Sequence, residues 1–121
     1  MSIIEDKKVE FFNQTIDGSV IKRGTMEDFA CLDHIVDFTD TDTVQEIIDD
    51  LDLAINGDFP SIVDNDITND FQIAFITSSA VEFYDKNGTT VSGTCGLQDF
   101  KNLCVAWLNF LNTPPFNGTK V

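Results

Sequence analysis

The sequence predicts one α+β domain spanning residues 1–121, an antiparallel sheet of hairpin and meander strands with about three helices packed on one face. Three observations predict it. An Asp-Gly dipeptide separates two β-rich runs near the N-terminus, two later segments carry apolar residues at helical spacing, and short β-rich runs lie between those segments. A chain of 121 residues fits a single core, and eleven phenylalanines supply large units to fill it.

Taking the elements in order, Val9 to Ile16 and Ser19 to Arg23 flank Asp17-Gly18, a pair suited to a two-residue hairpin turn. A short helix up to Asn13 competes with the first strand. Thr25 can cap a helix with Asp28 three residues on, and Met26, Phe29, Ala30, Leu32, Ile35 and Val36 approximate one helical face. The second helix is clearer: Val44, Ile47, Ile48, Leu51 and Ile55 follow helical spacing and Asn56-Gly57 stops it. Residues 61–70 are polar and read as a loop. Phe71 to Thr77, Ala80 to Asp85 and Thr89 to Gly93 then form a meander, whose second connection, Lys86-Asn87-Gly88, reads as an Asn-Gly hairpin. The last helix aligns Phe100, Leu103, Cys104, Trp107, Leu108 and Leu111 until Pro114-Pro115 forbids continuation.

Charge is the strongest functional signal. From Thr25 to Asp85 there is no lysine or arginine, yet sixteen carboxylates occur there, within a chain of net charge −14. Such a surface repels nucleic acid and anionic lipid and attracts basic partners. The aromatic and β-branched residues throughout the block mark it as folded, not as a disordered acidic tail. The N-terminal Met-Ser-Ile-Ile-Glu-Asp-Lys-Lys lacks the pattern of a signal peptide, and no apolar run approaches the roughly 20 residues of a membrane span. Cys31, Cys95 and Cys104 are odd in number and lack Cys-x-x-Cys spacing, which argues against a disulfide framework or zinc site. The Asn-x-Thr sequons at Asn13, Asn87 and Asn117 then read as chance, and a cytoplasmic protein with reduced thiols is expected.

Asp42, Glu46, Asp49 and Asp50 line the face of the second helix opposite its apolar stripe. Like charges four apart cost about 0.2–0.5 kcal/mol each, and the helix dipole disfavours anions toward its C-terminus. A solvated face is the bland account of such a run. A purely structural surface would intersperse lysines, however, so the stripe reads as a docking surface, extended by Asp58, Asp64, Asp66 and Asp70 in the following loop.

Catalytic patterns are weak. His34, the single histidine, is three residues from Cys31, a spacing ill-suited to a nucleophile and its base, and reads as a residue at a helix surface or boundary. No Gly-rich phosphate loop or nucleophile elbow occurs. The alternation Asp64, Asp66, Thr68, Asp70 suggests calcium, but an EF-hand counted from Asp64 would need glycine at Asn69 and glutamate at Phe75. No cofactor or metal is therefore expected. The cysteines and Trp107 read as core residues, although the position of Cys95 near a helix start could lower its thiol pKa.

In the last third of the chain, the run Ala80-Val-Glu-Phe-Tyr-Asp-Lys-Asn-Gly is followed by a short strand. A helix then ends Trp107-Leu-Asn-Phe-Leu, with Thr113-Pro-Pro after it. This arrangement resembles small bacterial immunity proteins of polymorphic-toxin and contact-dependent inhibition systems. The resemblance implies a cytoplasmic, non-enzymatic protein that binds one cognate toxin domain, often a nuclease, and carries over no binding residues. It agrees with the charge reading, since nucleases that grip a phosphate backbone are basic. The expected partner is thus a basic toxin, with nucleic acid and membrane excluded. A phage-encoded nucleic-acid mimic acting on a host defence protein would use the same acidic surface. An enzyme is arguable only through Cys31, Cys95 or His34.

Overall fold

In the computed structural model, which describes residues 8–25, 34–69, 72–85 and 87–120, Asp17 and Gly18 adopt φ of 51° and 80°. These are the values that a tight turn matched to strand twist requires. They join β1 (Glu10–Ile16) to β2 (Ser19–Thr25) in continuous antiparallel register from Ile16↔Ser19 to Glu10↔Thr25. The competing N-terminal helix is excluded over these residues. Thr25, expected as a helix cap, ends β2 instead, and most of the helix expected after it lies outside the described residues. His34 and Ile35 are helical.

Helix α1 (Thr41–Ile55) starts at Asp40, whose carboxylate accepts hydrogen bonds from Asp42 N and Thr43 Oγ1. It ends at Asn56, and Gly57 follows with φ of 80°. A short 3₁₀ turn, Phe59–Ser61, leads into the polar loop. Strands β3 (Ile73–Ile76), β4 (Ala80–Tyr84) and β5 (Val91–Gly96) make the expected meander. Its second connection is longer than a two-residue Asn-Gly turn: Asp85 N donates to Thr90 O, and the Asp85 carboxylate accepts from Thr89 N. A carboxylate placed to organise the loop outweighs the local dipeptide preference. Strand β5 runs directly into α2 (Leu97–Leu111), and β6 (Thr119–Lys120) closes the chain.

Among the described residues the fold is α+β with two helices of several turns and two three-stranded antiparallel sheets, ordered β1-β2-β6 and β3-β4-β5. The hairpin and the meander form separate sheets, and β6 joins the hairpin. The segment after Pro114-Pro115 returns to β2, where Gly118 N donates to Val20 O and Lys22 N to Asn117 Oδ1 at 2.6 Å.

One hydrophobic cluster holds these parts together. The stripe Val44, Ile47, Ile48, Leu51 and Ala54 of α1 meets Phe100, Leu103, Cys104, Trp107 and Leu111 of α2. Ala74, Ile76, Val81, Phe83 and Cys95 of the meander belong to the same cluster. Trp107 is fully buried, and its indole N–H donates to Phe38 O at 2.8 Å. The hairpin joins through Phe11, whose ring lies 5.5 Å from those of Trp107 and Phe110. Gly24 allows that approach, since a Cβ there would stand 3.0 Å from the Phe11 ring and 3.1 Å from Val36. Lys22 is buried on the inner side of β2, its ammonium 4.1 Å from the Phe110 ring centre and hydrogen-bonded to Asn13 Oδ1 at 2.9 Å. No helix among the described residues is long and apolar enough to cross a membrane.

Candidate functional site

The polar residues of α1 face away from the stripe that packs on α2, so helical periodicity alone points Glu46, Asp49 and Asp50 outward. Tertiary structure then brings a second acidic strip beside them. The loop after the 3₁₀ turn runs along the outer edge of β3, where Ile67 N donates to Ala74 O at 3.0 Å and Ile76 N to Asn65 O at 2.9 Å. This pairing fixes Asp64 and Asp66 opposite α1. Between helix and loop lies a cleft of about 430 Å³, lined by Glu46, Asp49, Asp50, Asp64 and Asp66 together with Phe38, Ile47 and Ile67. Ile47 and Ile67 are buried, so the cleft combines an apolar floor with carboxylate walls.

Among the described residues these carboxylates have no ion-pair partner. Asp52, on the side of α1 that faces α2, forms the ion pair with Lys101 at 2.5 Å. No ion pair reaches Glu46, Asp49, Asp50, Asp64 or Asp66 among the described residues. Asp49 accepts from Gln45 Nε2 at 3.0 Å, while Asp64 and Asp66 accept from the backbone N–H groups two residues on. Partial burial pushes the Asp50 carboxyl above the usual carboxylate range, and the charges of Asp49, Glu46 and Asp64 push it further the same way.

Of the eight acidic residues expected to dock a partner, five meet in this cleft and two do not. Asp42 sits exposed in the first turn of α1, where the helix dipole favours an anion. Asp58 precedes the 3₁₀ turn and accepts from Ser61 Oγ at 2.8 Å. Both lie off the cleft. Asp70 lies outside the described residues. The apolar floor was missed because Phe38, Ile47 and Ile67 belong to three separate segments. Val63, on the rim, is 101% exposed.

His34 corrects another expectation. It is 1% exposed, not at a helix surface, and its Nε2 lies 2.6 Å from Ile67 O behind the cleft floor. Burial lowers its pKa, opposed by the hydrogen bonds to Ile67 and Gln72 and by the Asp37 charge. Cys95 and Cys104 are buried free thiols, and burial holds the Cys104 thiol well above its ordinary pKa, with Cys95 adding to the effect. Cys31 lies outside the described residues. Among the described residues no group of three or more His, Cys, Asp or Glu is placed to hold a metal ion, and the loop carboxylates that suggested calcium turn to their own backbone.

Comparison with family models, curated proteins and solved structures gives no match to this chain.

Proposed function

We propose that this protein is a non-enzymatic inhibitor that neutralises a basic toxin domain, a nuclease, in the manner of a cytoplasmic immunity protein. The observation that carries the reading is the convergence, on a cleft with an apolar floor, of five carboxylates that have no ion-pair partner among the described residues. A lysine or arginine side chain suits that combination. Its aliphatic stem can lie along Phe38, Ile47 and Ile67 while its cationic head reaches Asp50, Glu46 and Asp64. Basic side chains that grip phosphate are the natural source of such groups, and occupying them keeps the nucleic acid out. The non-enzymatic part of the reading is supported by the burial of His34, Cys95 and Cys104, none of which lines the cleft.

The test is a pulldown from the native host with wild-type protein and the double variant Glu46→Lys/Asp50→Lys, read by mass spectrometry, followed by assay of the captured protein. Capture of a basic nuclease by wild type alone, and its inhibition on binding, is the expected result. Equal capture by the double variant would move the docking surface elsewhere. Recovery of a restriction or CRISPR component instead would favour nucleic-acid mimicry.

A further inference from the structure

We infer that two copies of this chain associate through the free edge of β1, joining their N-terminal sheets into one continuous antiparallel sheet. Ile16↔Ser19 flanks a two-residue turn and is a hydrogen-bonded pair, and alternation makes Gln14↔Ile21 and Phe12↔Arg23 hydrogen-bonded as well. The backbone groups of Phe11, Asn13 and Thr15 therefore point away from β2. Among the described residues none of them has a hydrogen-bond partner on that side.

Among the described residues the other sheet edges are protected, and this one is not. The outer edge of β3 is covered by the loop through Asn65 and Ile67, β6 has two residues, and the β4–β5 ladder is broken by an irregularity at Phe83/Tyr84. Strand β1 has seven residues in unbroken register, with no proline or lysine among them and one charge, Glu10, at its end. On its solvent face stand Phe12 and Ile16, 39% and 37% exposed.

A second copy is the occupant that the edge fits. The three outward residues are symmetric about Asn13. A two-fold there pairs Asn13 with Asn13 and Phe11 with Thr15 of the second copy, each pair exchanging both its hydrogen bonds. The same register sets Phe12 opposite Gln14 of the second copy and diagonal to its Phe12, covering the exposed rings. The edge shares no residue with the acidic cleft, and the inference does not rest on the proposed function.

A single strand edge is a small interface, so the dimer is weak and concentration-dependent. Each copy carries −14, and screening that repulsion should strengthen association as salt rises, opposite to binding through the cleft. Sedimentation velocity from about 5 to about 500 µM tests this. The expected result is a mass rising from 13.5 kDa toward twice that, more so in high salt, with amide exchange at Phe11, Asn13 and Thr15 slowing in parallel. Thr15→Pro removes one outward N–H without touching the β1–β2 ladder, and Phe12→Lys removes the apolar cover. Both should remain monomeric with unchanged circular dichroism, and if Thr15→Pro misfolds, Phe12→Lys decides. A wild-type mass fixed at 13.5 kDa, dimerisation by the folded variants, or loss of the dimer in Glu46→Lys/Asp50→Lys would overturn the inference.

Discussion

The Nε2 atom of His34 donates to the main-chain carbonyl of Ile67 at 2.6 Å, tying a buried titratable side chain to the loop that forms one wall of the acidic cleft. Asn69 reinforces the tie, donating from Nδ2 to His34 O at 3.0 Å and accepting from Gln72 N at 2.9 Å. The loop that carries Asp64 and Asp66 is thus held from behind by the core.

The first prediction follows from that link. Because the folded state holds His34 below its ordinary pKa, the unfolded chain takes up a proton first as pH falls. Stability is full above the unfolded value of about 6.5 and declines as pH drops from there toward the depressed folded value. His34→Gln keeps a donor for Ile67 O but does not titrate. In thermal melts from about pH 7.5 to 5.5, wild type should lose stability relative to this variant. Parallel curves would show that His34 titrates alike in both states.

Trp107 tests the core. Trp107→Ala removes the side chain that joins α2 to the hairpin ring Phe11 and leaves Phe38 O without its donor. A loss of about 3–5 kcal/mol in denaturant unfolding is expected. A midpoint near that of wild type would contradict the burial of this stripe.

Asp50 tests the strain of the cleft. Its folded pKa is raised, so its favourable contribution to stability is present below the unfolded value of 3.8 and is lost as pH rises through the folded value. Asp50→Asn should therefore melt higher than wild type at pH 7, with the gap closing in acid. The same variant should bind the partner less well. Greater stability and weaker binding from one substitution separate a docking carboxylate from a structural one.

Rate and salt test the mode of recognition. Association with a basic partner should approach roughly 10⁸ M⁻¹s⁻¹ at low ionic strength and fall steeply as salt is added. Dissociation should change much less, because close contacts are screened less than the approach. Stopped-flow mixing with the purified partner reads both rates. An association rate that ignores salt would mean that apolar contacts, for example at Val63 or the Asn87-Gly88 loop, recruit the partner instead.

What the sequence determined by itself was whatever a local period or a turn preference encodes. The Asp17-Gly18 hairpin, the stripes of α1 and α2, the burial of Trp107 and the outward set of Glu46, Asp49 and Asp50 all follow from residues within a few turns or strand steps of one another. Tertiary structure decided what depends on partners far along the chain. It set Asp64 and Asp66 across from α1, put Ile67 over His34, returned β6 to β2 and buried Lys22 against Phe110. It also left Asp42 and Asp58 away from the cleft. The physical reason is one of range. Periodicity states which side of an element avoids water, whereas the choice of neighbouring element comes from packing the whole core at once. The acidic character of this protein was therefore legible from composition, and its concentration into one cleft was not.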